Sequence, residues 1–379
     1  MRVLLLCTCK TNYVLQLYKY VRKYYPDVKY SLLTFEASVD YYRENLELRD
    51  GEEIYSLIGP HIWLIGLAIW RLPKFDIIHS MWYEYFWGCF AGTINRKCDY
   101  WFASIGGSDL FRETKYWLFR FLQRRILRRC DLISSEGAAA KEYFNSVYSN
   151  RYSKIPHRLI RFGVDILDEL TEMKTEGVTV GNIRAKYGIP SDKTVIMCGT
   201  CGRKEHQHFK IFEAIERLDP KVLDRICLLI PMTYDGTEAY KESVAQKAKT
   251  ITGSVVVLRE FLSPRGMAEV AYSTDIMIHV QTTDQLSSAM ISHMFNGNVV
   301  IAGSWLPYDE LRESGVGFIS IDKIEDLTDV IPEVLDNLDT YKKQYAANEK
   351  TVYDISSWEL SARKWHDAYT FLMNKKETV

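Results

Sequence analysis

The chain has 379 residues, of which 47% are hydrophobic and 26% charged, with a formal net charge of −1. That length suits two domains, each large enough for its own core, and the composition excludes a disordered polar chain. The balanced charge excludes wholesale nucleic-acid binding, which needs a basic surface.

The sequence opens directly on an apolar run, "VLLLCTC" (3–9), with no secretory leader ahead of it, so a reducing, cytoplasmic setting is expected. Further strand-like runs follow at 29–35, 75–81, 99–105, 131–136 and 158–164. Several are apolar throughout, as strands buried on both faces of a parallel sheet are. Helical spacing fills the gaps, including "VLQLYKYVRKYY", "KYWLFRFLQRRILRR" and "AAAKEYFNSV". The run "IWLIGLAIW" (62–70) is half the roughly 18 residues a bilayer-spanning helix needs, and reads as a buried or interfacial helix. The second half repeats the scheme, with strands expected at 193–200, 225–234, 254–262, 275–281, 298–304 and 317–322. Alternating βα units imply doubly wound parallel sheets. The polar stretch 166–193 breaks the rhythm and places a hinge near 165–185. The expected domains are therefore 1–165, 166–350 and a closing helical segment, 351–379.

Aromatic residues reach 13%, which suits a surface that meets sugars or lipid headgroups. The eight cysteines fall mostly in or beside apolar strand-like runs, where a free thiol packs as a small hydrophobe. Cys198 and Cys201 form a C-x-x-C. No second pair has that spacing, which argues against structural zinc and leaves a redox role open.

Two loops at expected strand ends carry anion-binding chemistry. "DQLSSAMISHMF" (284–295) reads as a helix with Leu286, Met290 and Met294 on one stripe and Asp284 at its N-cap. Its N-terminus follows the 275–281 strand, where free N–H groups and the helix dipole suit a phosphate. "GTCGRKEHQH" (199–208) follows the first strand of the same domain and offers Arg203, Lys204, His206 and His208. The alternatives are a capped core helix and a solvated charge cluster. Two such loops at one sheet edge favour a ligand site.

These segments resemble the donor-binding domain of GT-B fold glycosyltransferases. The family carries two Glu residues eight apart, followed by a small-residue helix end, Gly and "PVIAS". "DQLSSAMISHMFNGNVVIAG" aligns with this without gaps, placing Asp284 and Ser292 at the two Glu positions. "IRFGVD" (160–165) resembles the family's "NGVD", "IGGSDLF" (105–111) its "HGsD" loop, and "SSWELSARKW" its closing helix. A fainter similarity links 231–251 and 281–297 to transferases of 4-acetamido-4,6-dideoxygalactose that act on polyprenyl-diphosphate glycans.

The resemblance implies an α/β GT-B architecture, two Rossmann-like doubly wound parallel-sheet domains facing a central cleft. It implies a cytoplasmic, metal-independent glycosyltransferase that takes a UDP-, GDP- or dTDP-linked sugar as substrate and needs no cofactor. The acceptor would be a glycan or a polyprenyl-linked chain in cell-surface polysaccharide assembly, with no nucleic-acid partner. Arg203, Lys204 and the N–H groups of Ser287 and Ser288 would stabilise charge on the leaving diphosphate. Asp284 would contact the donor sugar and Ser292 the ribose, with His208, Thr283 and Gln285 completing the donor side. An inverting reaction would need a base, for which Asp109, His79 and Glu84 are the candidates. For His79 a satisfied core position is the equal alternative. Asn12, Gly106, Gly107 and Glu84 would line the acceptor side. The basic amphipathic stretch 115–130 suits either the inner face of the cell membrane or a core helix with a solvated face. A non-hydrolysing sugar-nucleotide epimerase and an inactive nucleotide-sugar-binding partner are the competing functions.

Overall fold

The computed structural model describes residues 1–375 apart from Pro60, Gly107 and Gln285, and apart from the side chains of Ser108, Ser149 and Asn150. The expected site residues Gly107 and Gln285 thus lie outside the described residues. The chain forms two compact units, Met1–Gly163 with Trp358–Val379, and Val164–Ser357.

The first unit is built on a parallel sheet of β1 (Arg2–Leu6), β2 (Lys29–Phe35), β3 (Ile54–Leu57), β4 (Phe75–Ser80), β5 (Cys98–Ile105), β6 (Leu132–Ser135) and β7 (His157–Leu159). Their order is β3-β2-β1-β4-β5-β6-β7. The central strand β1 shows why an unbroken apolar run becomes such a strand. Successive side chains point to opposite faces. Leu4 and Leu6 enter a core with Trp87 and Ile126, while Val3 and Leu5 enter another with Tyr20 and Trp365. Strand β3 was not expected from the sequence. It is a four-residue edge strand, largely half-buried, so it lacks the long apolar signature of its neighbours.

The second unit repeats the plan with β8 (Thr194–Cys198), β9 (Ile226–Pro231), β10 (Val255–Leu258), β11 (Ile276–His279), β12 (Val299–Gly303) and β13 (Ile319–Ile321). Their order is β10-β9-β8-β11-β12-β13, all parallel. Chain direction across each sheet reverses beside its first strand, between β8 and β11 in this unit. Such a switch point opens a crevice at the carboxyl ends of the strands.

The polar stretch read as a hinge is helical instead. Ile166–Thr175 and Val180–Tyr187 are helices of the second unit, and Leu167, Leu170, Met173 and Ile183 bury a narrow apolar stripe. Three- and four-residue spacing suffices to hold them among many exposed polar residues. At the amino edge of the same sheet, Asp275 accepts from the Val195 N–H (2.8 Å) and pairs with Arg184 (2.7 Å) and Lys342. This largely buried network ties strands to helices on the edge away from the switch-point crevice.

Within the first unit, Gly163 packs against Trp358. A Cβ on Gly163 would lie 2.5 Å from the Trp358 ring, so only glycine fits. Trp358 opens the helix Trp358–Asn374, is fully buried, and stacks on Tyr20 at 4.7 Å. We expect Trp358→Ala to lower unfolding free energy by about 3–5 kcal/mol. Urea denaturation followed by tryptophan fluorescence and circular dichroism checks this, and an unchanged midpoint would remove Trp358 from the core.

Candidate functional site

The carboxyl edge of the second unit brings the two expected anion-binding loops together. The loop after β8 begins at Gly199, whose φ is +71° and whose missing Cβ would lie 2.5 Å from His208 Nε2. Glycine is required there twice, by conformation and by the ring packed against it. Gly202 closes equally tightly on the turn after β9, where an added Cβ would lie 2.6 Å from the Asp235 carbonyl. The loop ends on Gln207, in the left-handed region at φ +58°, before the helix His208–Ile215.

Two hydrogen bonds hold this loop against the one after β11. Gln207 Nε2 donates to the Val280 carbonyl (2.7 Å), and the Thr282 N–H donates to the Glu205 carbonyl (3.0 Å). Trp305, after β12, adds a third tie by donating from Nε1 to the Gln281 carbonyl (2.7 Å).

Asp284 does not cap the helix. The helix is Ser288–Phe295, and Ser287 is its N-cap. Both Asp and Ser make good caps, and the real boundary lies three residues later than expected. Asp284 instead organises the loop. Its Oδ2 accepts from the Ser287 N–H (2.9 Å), lies 3.0 Å from His279 Nε2, and accepts from the Tyr308 hydroxyl. His279 Nε2 and the Tyr308 hydroxyl are themselves 2.8 Å apart. The carboxylate also pushes the Tyr308 phenol well above its ordinary value, after burial as the larger cause. His279 and Tyr308 were missed in the sequence because nothing local marks them; the fold joins them. The Ser287 N–H is consumed by this network, so it is not open to a phosphate as expected.

Ser292 is 2% exposed and donates to the Ala289 carbonyl of its own helix (2.7 Å). It therefore faces inward, and the expected ribose contact is corrected. His208 is also buried, with Nδ1 3.2 Å from the Tyr240 hydroxyl, so it supports the loop from beneath and does not front it. Burial lowers its imidazole to about 4 and that of His206 to about 3. His206 Nε2 sits 3.1 Å from both the Cys201 thiol and the Thr200 hydroxyl.

Exposed on this edge are Arg203, Lys204, Thr283 and Ser288. Arg203 is not unpaired: its Nε donates to Asp235 Oδ2 at 2.7 Å. Lys204 lies over the Tyr240 ring, 5.8 Å from its centroid. Tyr234 and Phe261, their ring centroids 6.4 Å apart, are exposed at the ends of β9 and β10 and were not anticipated.

The first unit corrects two of the expected bases. His79 is fully buried, with Nδ1 2.9 Å from the Tyr369 hydroxyl and Nε2 2.7 Å from Ser104 Oγ. Burial pulls its imidazole down to about 3, so it is a satisfied core group. Asp109 is 1% exposed and accepts from the N–H groups of Tyr83 (2.8 Å), Gly106 (3.0 Å) and Leu110 (3.0 Å). It knits the loops after β4 and β5 together. Gly106 is fixed by packing, since a Cβ there would collide with the Trp82 ring. Glu84 differs. It follows β4, accepts from the Thr8 hydroxyl through Oε1 (2.7 Å), and its Oε2 has no hydrogen-bond partner among the described residues. Burial raises this carboxyl above its ordinary value. Asn12 is exposed at the first turn of the helix Asn12–Tyr24, at the same carboxyl edge as Glu84.

All eight cysteines are free thiols. Among the described residues, no group of three or more His, Cys, Asp or Glu side chains could hold a metal ion, and no helix is long and apolar enough to cross a membrane.

No protein-family profile matches the chain, and no curated protein matches it. Solved structures do. Sucrose-phosphate synthase from Thermosynechococcus elongatus matches with a TM-score of 0.73 at 13% identity, over 99% of this chain and 100% of that one. The Anabaena protein HepE in complex with UDP matches with a TM-score of 0.73 at 12% identity, over 98% and 100%. UDP-GlcNAc 2-epimerase from Neisseria meningitidis, bound to UDP-GlcNAc, matches with a TM-score of 0.64 at 10% identity, over 97% and 99%. The chain has the GT-B fold, as the two parallel-sheet units and these likenesses show.

The buried imidazoles carry a pH signature. Unfolded histidines take up protons below about pH 6.5, whereas the native state keeps His79, His206 and His208 neutral to about 3, 3 and 4. Unfolding therefore absorbs protons between those limits, and stability falls as pH drops. We expect unfolding free energy to decline steadily from pH 6.5 to 4.5 in urea titrations. Burial raises the Glu113 carboxyl to about 7, which acts in the opposite direction over the same window, so the check is a comparison with His208→Gln: a pH slope that this variant leaves unchanged would contradict the neutral burial of that ring.

Proposed function

We propose that the chain is a glycosyltransferase that moves a sugar from a nucleotide-sugar donor to a glycan or lipid-linked acceptor in cell-surface polysaccharide assembly, in the cytoplasm. The observation that carries this reading is the pair of cross-tied loops at the β8/β11 switch point. They present Arg203, Lys204 and the N-terminal turn beginning at Ser288 on one edge. The solved UDP complex of a protein with the same fold supports a nucleoside diphosphate as the ligand.

The chemistry follows from charge. As the sugar leaves, negative charge grows on the diphosphate. Fixed cations and a helix N-terminus stabilise that charge more in the transition state than in the ground state. Arg203 gives its Nε to Asp235, and the two terminal nitrogens of its guanidinium are the donors for a phosphate. We read this arrangement as working without a divalent cation. We read Asp284, fixed in advance by His279 and Tyr308, as the contact for donor-sugar hydroxyls, with Thr283 beside it. In the first unit, Glu84 is the group suited to take a proton from an acceptor hydroxyl. Its raised carboxyl brings it toward the range where a general base works best.

Incubation with UDP-, GDP- and dTDP-sugars in EDTA tests the whole reading. We expect transfer or slow donor hydrolysis, undiminished by the chelator. An isomerised donor would support the epimerase, and binding without turnover an inactive partner. Activity abolished by EDTA and restored by Mg²⁺ would overturn the metal-free leaving-group step.

Arg203→Ala and Lys204→Ala should each weaken binding of the bare nucleoside diphosphate by roughly 1.5–3 kcal/mol, the worth of a hydrogen bond to a charged group. Isothermal titration with UDP, GDP and dTDP measures this. Unchanged affinity for the diphosphate that binds, in both variants, would remove the β8 loop from the site.

A further inference from the structure

The first unit exposes large aromatic side chains on one flank of its sheet. Trp117 is 73% exposed, Trp63 67% and Trp70 64%. They sit on two helices, Ile62–Arg71 and Trp117–Leu127; the short helix Tyr85–Cys89 packs on the second and the next short helix, Ala91–Asn95, on the first. Gly66 of the first packs against Phe90, 3.7 Å from its ring for an added Cβ. Gly88 lies so close to the Leu122 backbone that no Cβ fits. Ile65, Ile69, Trp87, Phe90, Ile126 and Leu127 all enter one core, so these helices cover the same face of the sheet, and the exposed rings lie on its solvent side.

Helical geometry sorts that surface. At about 100° per residue, Trp117, Phe121, Arg124 and Arg128 fall within about 60° of one line, and Trp63 and Trp70 within about 20°. Gln123 and Ile126 fall on the far side of the helix and are buried, and Leu127 is buried on its flank. The outward line thus runs from aromatic to cationic. The segment 115–130 carries Lys115 and five arginines with no acidic residue, and 61–71 carries Arg71 with none.

We propose that this face docks on an anionic lipid bilayer. Aromatic rings favour the interface between headgroups and acyl chains, and arginines beside them meet lipid phosphates. The charge decides between occupants. A second copy of this chain would bring the same cationic surface against itself, whereas an anionic bilayer uses both the aromatic and the cationic halves. The inference deepens the lipid-linked part of the proposed function by naming the surface that would hold the chain where such an acceptor resides. Its test contains neither donor nor acceptor, so it stands or falls apart from the transfer reaction.

The full chain is floated with vesicles of phosphatidylcholine alone and of equal parts phosphatidylcholine and phosphatidylglycerol. We expect flotation with the mixed vesicles only, and release near 1 M salt, where the screening length shrinks to about 3 Å. Arg124→Gln with Arg128→Gln should weaken partition by roughly fivefold per arginine. Trp117→Ser with Phe121→Ser should also lower it, with melting unchanged because both side chains are exposed. No flotation with mixed vesicles, or equal flotation with phosphatidylcholine alone, would overturn the proposal. So would a dimer in light scattering that Trp117→Ser dissolves without any vesicle binding.

Discussion

One carboxylate oxygen, Asp284 Oδ2, sets the form of the second unit's carboxyl edge. It gathers the Ser287 N–H, the His279 ring and the Tyr308 hydroxyl, and so joins the end of β11, the loop after it and the loop after β12. Bonds to an ionised oxygen are stronger than neutral ones. They help hold Leu286 at φ +78°, which a non-glycine residue adopts only at a cost of order 1–3 kcal/mol. The helix begins after this bend, at Ser288. Its first turn then comes to lie beside the β8 loop, to which Gln207 and Glu205 already tie the segment.

The two edges of this sheet divide their labour. At the amino edge, the buried Asp275 and Arg184 pair with each other, and the half-exposed Lys342 completes the network. At the carboxyl edge, Arg203, Lys204 and Ser288 are exposed, held by a backbone whose glycines leave room for little else. The first unit shows the same division within a single edge. Asp109 spends its oxygens on three N–H groups, while Glu84 keeps one oxygen without a partner among the described residues. Burial alone does not make a carboxylate structural or functional; what its oxygens already accept decides.

Much of the fold is legible in the sequence because buried parallel strands leave an unambiguous trace. Runs such as 3–9 and 275–281 have little alternative to the sheet interior. The edge strand at Ile54–Leu57 left no such trace, since it is half-exposed and short. The helices at 166–187 were obscured by exposed polar residues, although Leu167, Leu170 and Met173 carry the period. The site was legible as two loops and illegible in its details. Sequence does not distinguish an imidazole at a strand end from one sealed beneath a C-terminal helix, and His79 is the latter through Tyr369. Nor does it show that Ser292, one turn into a helix, turns its hydroxyl back to Ala289. The sequence places Asp284 at a helix N-cap, and that local role is wrong, because its partners His279 and Tyr308 are brought to it only by the sheet.

The central claim is that the cross-tied loops after β8 and β11 bind a nucleoside diphosphate. Amide hydrogen exchange of the full chain, with and without saturating UDP, tests it most directly. The account predicts slowed exchange in 199–208 and in 282–290, with little change at the amino edge around Asp275. Exchange in both loops left unchanged, with protection appearing elsewhere or nowhere, would contradict it.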